Sequence, residues 1–536
     1  MKSKIFINQW LLLKPYKKHI ITDSYYLKLS NDVKKTFEKG TESFLINRFL
    51  DKNEIEILSV FLVSYLEDLV SDTNIWNTFI KKHKEIYKKP LPFYEFDEYF
   101  EKEINYQDVC FLIWYFLNCY QKNNFISPYN EFIFKSAEKV MEIFEANWEF
   151  APENEFLKTF YELDDKENDF YVNRKLIDTI LFETYLFFPD TGLKFREDEL
   201  KIINKNKNDK NITMYLNENR DHTLHKIHTS LLSLRGKEWA SEIIGRKHAL
   251  SNSFKNMSQK ITGFFFYKGQ DPKNVFIEHI ASGKQFKMTK KSIDTISTST
   301  KIDSILYIGI AQWQGEWWFS GIFTQQQFKA ELILDEKNSN TSRNAVNFLA
   351  EEKKKIKENL ELQFKAFLSF NEGNEIAFMP TKKIESFIES FYAFFNNSLQ
   401  LTEKEFEESK QRIKNDSFFV KDDKNEFFKD FSETGLVFFN PKSGIEVVLK
   451  ANSAFPLPNN PYFKSDESEE AIFLLLVSDS VSLELANYCI KNCRKNLPFF
   501  KKGLGKAYLK DIDFLMRFWK REFYHTTSSM TMIGKE

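Results

Sequence analysis

The sequence predicts a mainly α-helical fold with a small β-barrel embedded near the middle of the chain, SH3-like or OB-like, and an α+β C-terminal part. Three observations support this class. Apolar residues recur every three or four positions through most of the first two hundred residues. Beyond Ile261 the pattern changes to five short β-rich runs separated by tight turns. Near the C-terminus, apolar alternation on both sides of Asn440–Gly444 predicts one more hairpin.

The chain is too long for one hydrophobic core. Domains of about 100–200 residues are usual, so a chain of 536 residues predicts several of them. The polar stretches NKNKNDKN (204–211) and DEKNSNTSR (335–343) lack periodicity and are typical of linkers. We therefore expect a helical domain at 1–203, a helix plus small barrel at 212–335, an α+β domain at 343–525 and a mobile tail at 526–536.

Helices dominate the predicted N-terminal domain. Apolar residues between Ile55 and Leu69 follow the helical period, with charged and small polar residues between them. The next helix ends before the motif Pro90-Leu91-Pro92. Residues 106–121 are apolar on all sides, which predicts a central helix surrounded by others.

The most distinctive block of this domain is YLEDLVSDTNIWNTFIKKHKEIYKKPLPFYEFDEYFEKEINYQDVCFLIWYFL, which begins at Tyr65. Together with FINQWLLLKPY, TDSYYLKLSN and FEANWEFAPEN, this block resembles an uncharacterised bacterial family, of the type named only as a domain of unknown function. The resemblance is strongest over residues 5–190. It implies a shared fold, and it carries over no catalytic residue because no activity is assigned to such proteins.

The middle of the chain joins a helix to the predicted barrel. Residues 218–250 contain a helical apolar stripe that includes Trp239. The β-rich runs that follow are ITGFFFYKG, NVFIEHI, KQFKM, SILYIGIAQW and EWWFSGIF. Turns containing Gly269, Gly283 and Gly315 separate these runs, and five strands joined by tight hairpins favour a small barrel.

Composition favours a cytoplasmic protein without cofactors. The four cysteines form two pairs, Cys110 with Cys119 and Cys489 with Cys493, and neither pair has the further ligands of a zinc site close in sequence. We expect them to be reduced and packed. The longest apolar run is shorter than the ~20 residues of a membrane-spanning helix, and the N-terminus lacks a signal-peptide cleavage site. Phosphate-cradling loops and nucleophile elbows are absent from the sequence, so no cofactor is expected.

Two groups of residues have metal-binding chemistry. His222, His225 and His228 are spaced by three on a predicted helix, and three imidazoles form the protein ligands of some zinc sites. A solvated polar face is the simpler interpretation. Asp68 and Asp72 lie one helical turn apart, where helix capping and pairing with lysines are the simpler roles. The functional alternative is a metal-dependent hydrolase whose site combines Asp68, Asp72 and histidines.

Charge is distributed unevenly along the chain. Residues 201–300 carry 18 basic and 8 acidic side chains, a net of +10; because the whole chain is −1, the remainder carries −11. The stretch from Arg494 to His525 is also basic and interleaves aromatic residues with lysine and arginine, which is typical of surfaces that hold phosphates while bases stack. The predicted nucleic-acid-binding residues are Lys501, Lys502, Lys506, Arg517, Trp519, Lys520 and Arg521. A core role for Trp519 in an amphipathic last helix is the competing interpretation.

No motif in the sequence implies a reaction. We therefore expect a non-enzymatic binding or adaptor protein, with a protein partner and with nucleic-acid contact through its basic middle and C-terminal surfaces. We expect no membrane contact, since the net charge of −1 predicts no global attraction to an anionic surface. The metal-dependent hydrolase and a structural subunit with exposed aromatic residues at a protein interface are the alternatives.

Overall fold

The computed structural model describes residues 4–39, 41–121, 125–293, 300–399, 402–407, 433–525 and Ser528. The chain forms two compact units. Unit 1 comprises Met1–Lys260, Met288–Asp294 and Gly309–Phe323, and unit 2 comprises Ile261–Lys287, Thr295–Ile308 and Thr324–Glu536. The division into domains at 1–203, 212–335 and 343–525 stays a prediction, and nearly all of the expected tail at 526–536 lies outside the described residues.

Unit 1 is built mainly from helices. They are Ile7–Trp10 (α1), Asp23–Phe37 (α2), Thr41–Ile46 (α3), Lys52–Val70 (α4), Ile75–Tyr87 (α5), Tyr106–Tyr120 (α6), Glu131–Asn147 (α7), Glu155–Lys158 (α8), Phe170–Glu183 (α9), Leu193–Lys205 (α10), Ile212–Lys226 (α11), Gly236–Ile243 (α12) and Ser251–Asn256 (α13).

Helices α4 and α6 form the centre of this unit. Helix α4 begins at a capping box in which the side chain of Asp51 accepts the N–H of Glu54 at 2.9 Å, and Glu54 accepts the N–H of Asp51 at 2.7 Å. Ten consecutive residues of α6, from Val109 to Asn118, are buried. The sequence prediction of a central helix at 106–121 is therefore confirmed.

The prediction of one continuous helix at 218–250 is wrong. Helix α11 ends at Lys226 and α12 begins at Gly236. Between them Leu232 and Ser233 adopt φ values of 59° and 58°, in the left-handed region that a helix of L-residues excludes. The apolar spacing persists because both helices and the turn between them contribute buried side chains, so periodicity alone does not reveal the break.

The five β-rich runs form a closed barrel, as predicted. Its strands are Ile261–Gln270 (β1), Asn274–His279 (β2), Gln285–Thr289 (β3), Ile305–Trp313 (β4) and Glu316–Gln326 (β5). They are ordered β1-β2-β3-β5-β4 around the barrel. Strands β3 and β5 meet in parallel at Met288 and Trp317. This order with a parallel contact between β3 and β5 is that of the OB fold rather than that of an SH3-like barrel.

The C-terminal part combines helices with a small sheet. Its helices are Ala330–Asn338 (α14), Asn340–Asn344 (α15), Ala350–Phe370 (α16), Ile384–Ser398 (α17), Ser468–Val477 (α18), Leu483–Cys493 (α19), Gly503–Tyr508 (α20) and Ile512–Trp519 (α21). The strands Ile376–Pro380 (β6), Thr434–Asn440 (β7) and Gly444–Leu449 (β8) form an antiparallel sheet in the order β6-β7-β8. The predicted hairpin around Asn440–Gly444 is confirmed, and so is the predicted class, since the chain is 56% helical with the barrel and this separate sheet.

Candidate nucleic-acid interface

The basic C-terminal stretch forms an exposed surface at helices α19 and α20. We define the basic surface by its six exposed side chains, Lys491, Arg494, Lys495, Lys501, Lys502 and Lys506. Leu504, which is 51% exposed, lies among them in α20. Along the chain no acidic residue occurs between Glu484 and Asp511. The charge of this segment is therefore not balanced by its sequence neighbours.

Tight local packing holds the basic surface in place. Leu497 and Phe500 are buried beneath it in the core of the C-terminal part. Gly505 lies directly against the backbone of Phe499, because a Cβ at position 505 would come 2.2 Å from that carbonyl oxygen. Only glycine permits so close an approach. Helix α20, which carries Lys506, is therefore held against the turn that precedes it.

The cations of the basic surface have no acidic partners among the residues that the structure describes. None of the six forms an ion pair with any residue in the part of the chain that the structure describes. Other exposed lysines of unit 2 do pair: in α16, Lys354 lies 3.9 Å from Glu358 and Lys357 lies 3.9 Å from Glu361. Six cations lie within residues 491–506, and in the described part of the chain their charge is not balanced by carboxylates, so an anionic ligand would be attracted there.

Lys520 does not belong to this surface. Its side chain is 1% exposed, and its Nζ donates to the carbonyl oxygens of Ser478 at 2.5 Å and Val481 at 2.7 Å. Burial lowers the pKa of Lys520 to about 7. An amine enclosed in this way is not available to a phosphate, so we remove Lys520 from the predicted set. The prediction rested on the basic, aromatic stretch around Lys520, which directly follows the end of α21 at Trp519.

The remaining predicted residues lie at the end of α21. The Nε of Arg517 donates to Asp513 at 2.9 Å, and its guanidinium carbon lies 4.2 Å from the centroid of the Tyr524 ring. Trp519 is half-buried and packs edge-on against Phe518 at 5.1 Å between ring centroids. Arg521 is also half-buried. Arg517 and Trp519 are thus tied to their own helix, and of the seven predicted residues only Lys501, Lys502 and Lys506 belong to the basic surface.

Asp68 caps helix α5. Its carboxylate accepts the N–H of Ile75 at 3.1 Å and that of Trp76 at 2.7 Å, together with the hydroxyls of Thr73 and, at 2.8 Å, Tyr185. Its side chain is buried. Four donors satisfy both oxygen atoms, which is the role of an N-terminal cap and not that of an open metal ligand. Asn74, which directly precedes the helix, makes no such bond with its side chain.

The residues of the hydrolase alternative have separate partners. Asp72 forms an exposed ion pair with Lys102 at 2.9 Å. His83, on the next helix, is buried with its Nδ1 2.8 Å from the carbonyl oxygen of Lys89, and burial lowers its pKa to about 4. Among the described residues, no group of three or more His, Cys, Asp or Glu side chains has the arrangement of a metal site. The hydrolase stays a hypothesis without an assembled site.

His222, His225 and His228 also have separate surroundings. The Nε2 of His225 is 3.2 Å from Oγ of Ser320, and the histidine is buried. Arg235 donates its Nε–H to Nε2 of His228 at 2.8 Å, and His228 lies beyond the end of the helix at Lys226. His222 is exposed. The helix thus ends before it could bring the three rings to one ion.

A buried ion cluster in unit 1 has no signal in the sequence. The Nζ of Lys260 lies 2.5 Å from Asp221 and 3.0 Å from Glu218. Asp221 also accepts Arg174 at 2.8 Å and the hydroxyl of Ser320 at 2.7 Å. Burial opposes ionisation of Asp221, but neighbouring positive charges hold its pKa below the ordinary value. The cluster fixes α11 against strand β5, and every carboxylate in it has donors.

Glycine makes room for this cluster. At Gly321, where φ is +99°, a Cβ would come 2.4 Å from Oε2 of Glu218 and 2.5 Å from Nζ of Lys260. Such distances are impossible for a real side chain. The position of Lys260 therefore requires glycine at position 321 of β5. The two residues are far apart in the sequence, so the sequence pattern does not reveal this requirement.

Comparison with known proteins adds one match. The model of a family described as a protein of unknown function (DUF3843) matches residues 4–278, just over half of the chain. This match includes the stretch at 5–190 and confirms the resemblance seen in the sequence. No curated protein and no solved structure matches the chain. Within the described ranges, no helix has both the length and the apolar character needed to cross a bilayer.

Proposed function

The chain belongs to DUF3843, a family of proteins of unknown function, and we propose that it is a non-enzymatic protein that binds nucleic acid at its basic surface. The observation that carries this proposal is the set of six exposed cations without ion-pair partners among the described residues. The cytoplasmic location, the bacterial origin and the protein partner expected from the sequence are part of the same proposal.

Electrostatics determines which ligand fits this surface. Nucleic acid carries a dense row of phosphates with condensed counterions, and lysines that neutralise phosphates release those counterions. Arg494 is the single arginine among the six cations, and arginine is the side chain that reads phosphate or guanine with two parallel hydrogen bonds. We therefore expect binding to the phosphate backbone, with strong salt dependence and little preference for sequence.

The test replaces half of the surface charge. Lys501, Lys502 and Lys506 are changed together to Gln, which removes the charge and keeps a polar side chain. Binding of labelled single-stranded RNA and duplex DNA is measured by fluorescence anisotropy at low salt. We expect affinity for both ligands to fall at least about tenfold, because three phosphate contacts are lost.

The matched control changes Lys353, Lys354 and Lys357 of α16 to Gln. These lysines are exposed as well, and Lys354 and Lys357 have glutamate partners. Both triple variants lower the net charge equally, so a general charge effect would weaken binding in both. Equal affinities of the two variants, or no binding by the wild-type chain at low salt, would contradict the proposal.

A further inference from the structure

The outer face of strand β2 carries an exposed aromatic ring. Val275, Ile277 and His279 are buried in the barrel, and Phe276 points outward between them with 37% of its surface exposed. A single exposed phenylalanine is ordinary on a protein surface. What sets Phe276 apart is the pair of residues beside it on the two neighbouring strands.

The residues opposite Phe276 on the two neighbouring strands are a glycine and a lysine. On β1, the antiparallel register pairs Gly269 with Phe276, so no β1 side chain lies opposite the ring, and Cδ1 of Ile302 lies 3.6 Å from the position of the missing Cβ. On β3, the N–H of His279 donates to the carbonyl of Lys284 at 2.8 Å. Extending this antiparallel pairing along the two strands places Lys287 opposite Phe276. Lys287 is exposed, so a ring and a cation stand side by side on the outside of the barrel.

The nearby carboxylates are engaged by other groups. Glu278 lies 3.5 Å from the Nζ of Lys268. The carboxylate of Asp271 accepts the backbone N–H groups of Lys273 at 2.7 Å and of Asn274 at 2.6 Å, and thereby closes the turn between β1 and β2. Glu278 is therefore paired. The carboxylate of Asp271 stays ionised in the turn, where hydrogen bonds from Lys273 and Asn274 and, to a smaller extent, the positive charge of Lys287 lower its pKa.

We propose that Phe276 and Lys287 form a stacking platform for single-stranded nucleic acid. An unpaired base lies on the open face of the Phe276 ring, and Lys287 contacts a phosphate of the same strand. Bases in a duplex are stacked on both sides and do not offer a free face, so the platform selects single strands. The basic surface, by contrast, contacts phosphates, which both forms present.

The test compares two ligands on the full-length chain. Binding of fluorescein-labelled oligothymidine and of a duplex of the same length is measured for the wild type and for Phe276→Ala. We expect the affinity for oligothymidine to fall about 5- to 150-fold, the contribution of one stacked base, with duplex affinity unchanged. Phe276→Trp, which keeps a ring, retains oligothymidine binding. Phe394→Ala is the matched control: Phe394 is 41% exposed on α17, and its loss changes neither affinity.

Two further comparisons keep the outcome decisive. Circular dichroism and thermal unfolding show whether the Phe276→Ala variant folds. If it does not fold, Lys287→Gln, a substitution at an exposed position, tests the same platform, and we expect it to weaken oligothymidine binding. Unchanged oligothymidine binding in the folded Phe276→Ala variant, or an equal loss for both ligands, overturns the inference. If the wild-type chain binds the duplex and its affinity for oligothymidine is no higher, only the platform is overturned. If the wild-type chain binds neither ligand, the proposal for the basic surface is overturned as well.

Discussion

Lys260 reaches Asp221 inside unit 1 with 2.5 Å between Nζ and Oδ2, across two strand positions that have no side chain. A Cβ at Gly309 would come 2.2 Å from Cε of Lys260, and one at Gly321 would come 2.5 Å from its Nζ. Desolvation offsets much of the attraction within a buried ion pair, so such a pair adds little net stability. Removing only one partner of the pair is costly nonetheless, because the charge of the other partner stays buried without compensation.

Gly321→Ala should lower the free energy of unfolding by more than the cost of placing alanine at a positive φ. The new methyl group would lie 2.4 Å from Glu218 and force the ion cluster apart. Gly373→Ala is the control, because Gly373 has a similar φ of +83° but nothing within 4 Å of its missing Cβ. We expect about 1–2 kcal/mol for the control, the cost of a left-handed residue, and at least about 2 kcal/mol more for Gly321→Ala. Chemical denaturation measures both, and equal losses would show that the glycine makes no room for the lysine.

Lys260→Met should cost about 3–5 kcal/mol, the usual effect of breaking a buried ion pair from one side. The substitution keeps the length of the side chain but leaves Asp221 and Glu218 without their shared cation. Lys354→Met, at an exposed position of α16, should stay within about 0.5 kcal/mol of the wild type. Denaturation midpoints of the two variants give the comparison. A Lys260→Met protein as stable as the wild type would mean that the cluster has no structural role.

Asp68→Ala should destabilise unit 1 by about 1–3 kcal/mol. It removes the acceptor for two N–H groups at the start of α5 and for the hydroxyl of Tyr185. The metal content of the purified protein, measured by mass spectrometry, should be the same in wild type and variant. One metal ion per wild-type chain that disappears in Asp68→Ala would instead support the hydrolase alternative.

The stability contributed at Lys520 should depend on pH. Burial lowers its pKa to about 7 in the folded chain, against about 10.4 in the unfolded chain. Between these values the unfolded chain binds more protons, so the contribution of this residue to stability rises with pH from about 7 to about 10. Relative to Lys520→Met, the wild type should gain up to about 4 kcal/mol across that range. A difference between the two proteins that is constant with pH would contradict the lowered pKa.

Local signals in the sequence located the barrel correctly. Turns at Gly283 and Gly315 separate alternating apolar runs, and both glycines have positive φ values, the conformation for which a turn favours glycine. Gly269, predicted in the first turn, lies instead within β1, next to a bulge in its pairing with β2. The choice between the OB-like and SH3-like barrels required the parallel contact of β3 with β5, which depends on pairing between strands far apart in sequence. The break at Leu232 and Ser233 escaped prediction for a related reason, since tertiary packing holds Leu232 at a positive φ that a leucine does not favour.

The candidate surface was only partly predictable. Lys501 and Lys520 look alike in a basic, aromatic stretch, yet one is exposed and the other is 1% exposed between two carbonyl groups. Which lysine is enclosed depends on the Ser478–Val481 turn, which the sequence gives no reason to place beside α21. Lys491, Arg494 and Lys495 were not predicted, because they precede the part of the chain in which basic residues alternate with aromatic ones.

The most direct test of the basic surface is the salt dependence of duplex DNA binding. The logarithm of the association constant is plotted against the logarithm of the salt concentration for the wild type and for the Lys501, Lys502 and Lys506 to Gln variant. Each phosphate contact contributes about 0.9 to the slope, so we expect the variant to be shallower by about 2–3. Equal slopes for the two proteins would contradict the claim that nucleic acid binds at this surface.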